Sequence, residues 1–156
     1  MSDIEQIVSN LTLEEKVSIL SGFNSWYTNK IDHANVPSIK MSDGPNGVRG
    51  DSNSGKTSAC FPCAISIGSS WDLDLIEQLG VALGEEANAK DADVLLGPTI
   101  NIHRHPLGGR HFESFSEDPF LTGKIAVKYV QGVQSKNVAA CLKHFVGNDT
   151  EFNRHA

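Results

Sequence analysis

A short apolar run near the end of the chain leads directly into polar side chains, and this arrangement narrows the possible folds. Residues 138–142 (VAACL) have the length and composition of a buried strand. Lys143 and His144 follow at once, and Asn148 comes soon after. A buried strand that presents polar side chains at its C-terminal end is typical of the active-site rim of a parallel α/β sheet or barrel.

Helix and strand patterns alternate along the rest of the chain. Apolar periodicity and capping residues predict helices near residues 3–10, 13–21, 72–90 (with Asp72 as N-cap) and from about 116–119 to 136, and strands at 39–41, 94–96 and 138–142. Such alternation favours a parallel sheet with right-handed crossovers. We therefore expect an α/β fold built on a parallel sheet.

Composition excludes several classes of protein. The chain has 156 residues and a net charge of −6, which argues against a nucleic-acid surface. No apolar stretch approaches the ~20 residues of a membrane span. The N-terminus lacks the basic and apolar regions of a signal peptide, so we expect a cytoplasmic protein.

Cys60 and Cys63 have the spacing of a redox pair. A redox pair normally opens a helix, whose dipole lowers the pKa of a thiol. Here residues 64–68 (AISIG) alternate like a strand. We therefore interpret both cysteines as ordinary thiols in a loop.

Three strand-like segments end in polar groups that would converge on one face of a parallel barrel. These groups are Asp43, the loop that carries Arg110 and Glu113, and the pair Lys143 and His144. A carboxylate can accept hydrogen bonds from two hydroxyls, whereas arginine, lysine and histidine can donate to others. The set suits an uncharged ligand with many hydroxyl groups.

Each of these residues also has an ordinary structural interpretation. Asp43 could bond backbone N–H groups within its turn. Arg110 could form a simple ion pair with Glu113 or Glu117, and Lys143 could be a solvated strand end. The convergence of all three favours a binding site.

A metal site is the competing interpretation, because histidines are numerous: His103, His105, His111, His144 and His155. His103 and His105 would share a face of a strand, but Pro106 interrupts the segment and no pair at helical i, i+4 spacing accompanies them. We expect neither a metal nor a cofactor.

Three long motifs resemble glycoside hydrolase family 3 in content and order. They are residues 42–49 (SDGPNGVR), residues 97–119 (GPTINIHRHPLGGRHFESFSEDP) and residues 143–145 (KHF), the last followed by Asn148, Glu151 and Arg154. The resemblance runs from about residue 13 to the end. It implies a (β/α)8 TIM-like barrel followed by an α/β sandwich, with this chain supplying only the N-terminal part of the barrel.

Within the family the chain is most similar to the β-glucosidases. The N-acetylglucosaminidase branch has Pro-Gly-His-Gly after the Lys-His-Phe motif, whereas residues 146–149 here are VGND. β-Xylosidase specificity stays open. By resemblance, Asp43, Arg110, Lys143 and His144 bind the hydroxyls of the sugar at the cleaved bond, and Arg49 supports the loop that carries Asp43.

The resemblance also indicates what this chain lacks. A retaining glycosidase needs a nucleophile and an acid/base about 5 to 5.5 Å apart. The family's nucleophile is an aspartate in a later motif, and its usual acid/base lies in the second domain. We therefore expect 156 residues to hold the sugar-binding half of an enzyme that acts on a small β-glucoside or oligosaccharide, and to be inactive alone. A non-catalytic carbohydrate-binding module is the alternative from another class.

Overall fold

A computed structural model describes residues 3–50, 56–145, 147–151 and 154. The chain divides after Met41 into two compact units. None of the helices in these described ranges combines the length and apolar character needed to cross a membrane.

The first unit begins with two short helices, α1 (Asp3–Ser9) and α2 (Leu13–Leu20), and carries a 3-10 turn at Asp32–Ala34. Thr12 and Glu15 form a capping box at the start of α2. The Thr12 hydroxyl accepts from the Glu15 N–H at 3.2 Å, and the Glu15 carboxylate accepts from the Thr12 N–H at 2.9 Å. These reciprocal bonds explain why the helix begins there.

The second unit alternates strands and helices, as the sequence predicts. In chain order the elements are β1 (Met41–Ser42, at the boundary between the units), α3 (Ala64–Gly68), α4 (Leu73–Ala89), β2 (Val94–Leu95), a 3-10 turn (His111–Glu113), α5 (Pro119–Gln134) and β3 (Ala139–Ala140). The sheet order is β1-β2-β3. β2 and β3 are parallel, with Val94 opposite Ala139. The Leu96 N–H donates to the Ser42 carbonyl at 2.8 Å.

Aspartate caps fix the start of the two long helices. Asp72 accepts hydrogen bonds from two backbone N–H groups at the start of α4, as predicted. At the start of α5 the cap is Asp118, with Pro119 in the first turn, inside the predicted region 116–119. The Ser116 hydroxyl accepts from the Asp118 N–H at 3.0 Å.

The core lies mainly between α4 and α5, whose facing side chains Ile76, Leu83, Ile125, Tyr129 and Val133 are all buried. The buried positions of α5 repeat every four residues, and Ile76 and Leu83 of α4 lie seven residues, or two turns, apart, which is why their periodicity predicts the helices.

Close approach of the two helices requires small residues at their contact. A Cβ atom at Gly80 would lie 2.5 Å from the Tyr129 carbonyl oxygen, which is too close for a side chain. Glycine at this position therefore lets the backbones of α4 and α5 pack together.

The prediction of a fully buried strand over residues 138–142 is wrong. The strand β3 has two residues; Val138 is buried, but Ala139 is exposed and Leu142 is 41% exposed. The reason is position in the sheet, because β3 is its edge strand within the described residues. The other two strands are also shorter than predicted: Met41–Ser42 replaces the predicted 39–41, and Val94–Leu95 replaces the predicted 94–96.

The segment after Cys63 is the helix α3, not the strand predicted from its alternating pattern. Ala64 and Ile67 are buried while Ile65 is 42% exposed, so burial follows the three-residue spacing of a helical face. The Ile67 N–H donates to the Cys63 carbonyl at 3.0 Å. Two isoleucines two positions apart fit either structure, and tertiary burial of only one decides between them.

Candidate functional site

The loop after β1 carries Asp43 and is held in shape by backbone bonds. The Arg49 N–H donates to the Asp43 carbonyl at 2.9 Å, and the Gly47 N–H donates to the Gly44 carbonyl at 3.1 Å. Gly44 has φ +112°, which only glycine adopts readily. The Arg49 side chain is exposed, so it is the backbone of Arg49 that closes the loop.

Thr99 connects the three segments that bring the site together. It forms parallel bridges with Ser114 and with Lys143. The Lys143 N–H donates to the Pro98 carbonyl at 3.0 Å, and the Lys143 carbonyl accepts from the Ile100 N–H at 2.7 Å. This register sets the backbone of Lys143 beside Thr99 and the segment that ends the Glu113 loop.

Glu113 is the centre of the site's charge network. Its carboxylate is only 9% exposed. One oxygen accepts from Arg110 Nε, and the other accepts from the Thr99 hydroxyl at 3.1 Å and lies 3.8 Å from Lys143 Nζ. Lys143 Nζ also donates to Asp43 Oδ1 at 2.9 Å. Asp43, Arg110 and Lys143 are thus brought together through Glu113.

The charges in this network keep both carboxylates ionised. Burial raises the pKa of Glu113, but the hydrogen bond and charge of Arg110, with Lys143 nearby, outweigh it and hold that pKa below its usual value. Burial likewise opposes ionisation of Asp43, and the hydrogen bond and charge of Lys143 outweigh it, so the pKa of Asp43 is also lowered. The hydrogen bond to Glu113 raises the pKa of Arg110.

His144 is anchored by Asn101, a buried residue of the long loop. Asn101 Oδ1 lies 3.1 Å from the His144 backbone nitrogen and 2.9 Å from His144 Nδ1. Burial and the charges of Arg110 and Lys143 lower the pKa of His144. At neutral pH its ring is therefore uncharged.

A further carboxylate, Glu151, lies at the edge of the network. It accepts from Asn148 Nδ2 at 2.8 Å and from Arg154 at 2.6 Å, and lies 3.8 Å from a terminal nitrogen of Arg110. The Asn148 hydrogen bond and the arginine charges lower the pKa of Glu151. Arg110 is thus held between two carboxylates, Glu113 and Glu151.

The four residues predicted to bind a ligand therefore occupy one region, although the sequence does not reveal how they are held. Arg110 does pair with Glu113, as the ordinary interpretation has it, but this pair is largely buried and shared with Lys143. The role of Asn101 goes unpredicted. Its only signal in the sequence is its position inside the long polar motif.

His103, which the competing metal interpretation invokes, has a structural role. His103 Nε2 lies 2.8 Å from the His111 carbonyl and 2.9 Å from the Ser114 carbonyl, so it donates to backbone. Across the described ranges no group of three or more His, Cys, Asp or Glu side chains is arranged to hold a metal ion. His155 lies outside the described residues.

The three cysteines, Cys60, Cys63 and Cys141, carry free thiols. Because α3 begins directly after Cys63, the predicted strand there cannot be the reason to interpret the pair as ordinary thiols. That interpretation stays a prediction.

Curated relatives match nearly the whole chain. It is 55% identical over 153 residues to a protein named beta-glucosidase from Rhizobium radiobacter, covering 97% of this chain and 19% of the relative. It is 52% identical over 151 residues to beta-glucosidase B from Emericella nidulans, covering 96% and 18%. The chain thus spans about one fifth of the length of these relatives.

Solved structures agree with the fold. The structure of beta-glucosidase from Kluyveromyces marxianus in complex with glucose matches with a TM-score of 0.91 and 48% identity over 95% of this chain and 18% of that one. Beta-glucosidase 3B from Thermotoga neapolitana in complex with glucose matches with a TM-score of 0.88 and 40% identity, over 98% and 24%.

The prediction that the fold is part of a TIM-like α/β barrel is confirmed by these matches. The sequence profile described as the glycosyl hydrolase family 3 N terminal domain covers residues 5–156. The chain belongs to glycosyl hydrolase family 3.

Proposed function

We propose that the complete protein containing this chain is a retaining, exo-acting β-glucosidase that removes terminal, non-reducing β-D-glucosyl residues. Relatives about half identical over nearly the whole chain are named beta-glucosidases, and two structural neighbours hold glucose. These relatives support β-glucosides as the substrate class. The charge network around Glu113 supports sugar binding as the role of this segment.

The observation that carries the proposal is the position of Lys143 Nζ, 2.9 Å from Asp43 and 3.8 Å from Glu113. An ammonium group has three N–H donors; one is directed at Asp43, and the other two can serve a ligand while Glu113 stays at ion-pair distance. The Asp43 carboxylate is 39% exposed, whereas Glu113 is 9% exposed. Asp43 is therefore the acceptor that a sugar can reach, and Glu113 is the anion that holds the cations in place.

The binding role extends to Arg110 and His144. Arg110 is fixed by Glu113 and Glu151, so its guanidinium can donate to neighbouring hydroxyls without losing side-chain freedom on binding. His144 is fixed by Asn101. A rigid ring of donors and acceptors of this kind suits a sugar, which offers several hydroxyls and no charge.

Neither Asp43 nor Glu113 is suited to act as general acid. A general acid needs a raised pKa near the working pH, whereas the pKa of each of these groups is lowered. The lowered pKa values therefore argue against these two groups as the acid/base, and from the family resemblance we expect both the nucleophile and the acid/base outside these 156 residues.

The test uses the protein encoded by the complete reading frame. Purified protein is assayed with aryl β-glucoside and aryl β-xyloside, and the first-formed anomer is followed by proton NMR. We expect higher kcat/KM on the glucoside and β-glucose as the first product. A preference for the xyloside would show that the enzyme is a β-xylosidase rather than a β-glucosidase. α-Glucose as the first product would contradict a retaining mechanism. No hydrolysis of either substrate would favour a non-catalytic binding module.

A further inference from the structure

Asn101 contacts His144 twice through one atom, and this double contact defines where the protons lie. Asn101 is 5% exposed. Its Oδ1 lies 3.1 Å from the backbone nitrogen of His144 and 2.9 Å from Nδ1 of the ring. Both distances are those of hydrogen bonds.

A backbone N–H can only donate, so the Asn101 atom that faces it must be the amide oxygen. An amide oxygen can only accept, so Nδ1 of His144 must carry a proton. In a neutral imidazole only one nitrogen is protonated. Nε2 of His144 is then the nitrogen with a free lone pair, and no hydrogen bond to it is present among the described residues.

Burial, and after it the charged groups around His144, lower the pKa of the ring and favour its neutral form. Arg110 and Lys143 disfavour a third positive charge, and Glu113 and Glu151 oppose them more weakly. Burial acts in the same direction as the two cations.

We propose that Asn101 is a positioning residue that holds His144 in the Nδ1–H tautomer, so that Nε2 accepts a hydrogen bond from a hydroxyl of the bound sugar. This inference rests on the proposed function. It reverses the expectation from the sequence that His144 donates. The site then has two cationic donors, Arg110 and Lys143, and two acceptors, Asp43 and His144. Each sugar hydroxyl can both donate and accept, so a balanced set can satisfy it.

The direction of the His144 hydrogen bond can be read with substituted sugars. A fluorine in place of a hydroxyl accepts weakly and cannot donate. Inhibition constants are measured for the monodeoxy and monofluoro glucoses at each position, on the complete wild-type enzyme and on His144→Ala.

At one ring position we expect the deoxy and fluoro sugars to bind equally poorly, each about 5- to 100-fold weaker than glucose. In the His144→Ala enzyme, we expect these two sugars to bind as well as glucose does. A fluoro sugar that keeps most of the affinity at that position would make His144 a donor and overturn the inference. So would the absence of any position that responds to His144→Ala. An enzyme that does not bind glucose at all would instead refute the proposed function beneath it.

Two Asn101 variants separate proton positioning from a structural role. Asn101→Leu removes the acceptor, and we expect kcat/KM to fall about 5- to 100-fold. Asn101→Asp keeps an oxygen acceptor but adds a charge, which favours the imidazolium and removes the Nε2 lone pair at mildly acidic pH. The expected result is high activity at alkaline pH and an acidic limb displaced upward by about one pH unit or more.

Asn88→Leu is the matched control, since Asn88 is exposed on α4 and donates to the Lys136 carbonyl. It should leave kcat/KM unchanged. The Nδ1 protonation of His144 is read independently by nitrogen-15 NMR of histidine-labelled enzyme, with His144→Ala for assignment. A neutral His144 protonated on Nε2, or an Asn101→Asp enzyme with the wild-type pH profile, would overturn the inference.

Discussion

Lys143 Nζ donates to Asp43 Oδ1 at 2.9 Å across 100 positions of sequence. The two residues follow β3 and β1, which lie on opposite sides of β2 in the sheet. The long side chain of Lys143 thus reaches the short side chain of Asp43 across the central strand β2. Because each residue holds the side chain of the other in place, the loss of either one also disturbs ligand binding by the other.

Asp43→Ala should be among the most damaging changes in the complete enzyme. The proposed role of Asp43 is to accept two sugar hydroxyls, and bonds to a charged group contribute roughly 1.5 to 3 kcal/mol each. We expect kcat/KM on an aryl glucoside to fall by about two to four orders of magnitude. Asp43→Asn keeps the shape and one acceptor oxygen and should lose less. A folded Asp43→Ala enzyme with near-normal kcat/KM would remove Asp43 from the site.

Glu113→Gln should reduce both stability and activity. It leaves Arg110 and Lys143 as two close cations without their shared buried anion, a change that typically costs about 3 to 5 kcal/mol. Glu117 is exposed, so Glu117→Gln is the control and should change stability by less than about 0.5 kcal/mol. Chemical denaturation gives the free energy of unfolding of each variant. Equal stabilities of the two variants would contradict a central role for Glu113.

The pH dependence of stability follows from the same carboxylates. The pKa values of Asp43 and Glu113 are lowered by folding, so the stability they provide is complete above their unfolded values of about 4. It is lost as the pH falls from there through the folded values. Melting temperature should therefore decline below about pH 4, and more gently in Glu113→Gln. An identical slope in the variant would show that Glu113 is not part of the acid transition.

Glu86 on α4 should be essential for holding the segments around the Asp43 loop. Its two oxygens accept from the Val48 N–H at 2.7 Å and the Ala59 N–H at 2.6 Å, and it pairs with buried Lys90 at 3.0 Å. Glu86→Ala removes the acceptor of the buried Val48 N–H and the carboxylate beside buried Lys90, and should destabilise by about 3 to 5 kcal/mol. Glu85→Ala, beside it on α4, is the control.

Glu85 is 61% exposed in its pair with Lys136, and its removal should cost less than about 1 kcal/mol. Urea unfolding of the two variants under identical conditions gives the comparison. If Glu86→Ala were no less stable than Glu85→Ala, the backbone contacts of Glu86 would have no energetic weight.

Two glycine substitutions test the packing of α4 on α5. Gly80→Ala puts a methyl group 2.5 Å from the Tyr129 carbonyl and should destabilise by about 1 to 3 kcal/mol. Gly123→Ala, on α5, meets no atom within 4 Å and should stabilise by up to about 1 kcal/mol through helix propensity. Thermal melting of both variants should show shifts of opposite sign. A stabilising Gly80→Ala would mean that the helices can separate without loss.

The sequence determined the alternation of helices and strands and the residues that gather at the site. Local chemistry suffices for that. Asp72 caps α4 with its own side chain, and the buried face of each long helix repeats at helical spacing. The motifs around Asp43, Arg110 and Lys143 are long and ordered enough to carry the family resemblance by themselves.

Tertiary structure alone decided the features that depend on neighbours distant in sequence. The segment after Cys63 is a helix because one isoleucine is buried and the other is exposed, and β3 is open because it is an edge strand. Asn101 meets His144 across 43 positions. No local pattern encodes which ring nitrogen of His144 carries the proton, because that depends on the Asn101 oxygen that the fold places beside the ring.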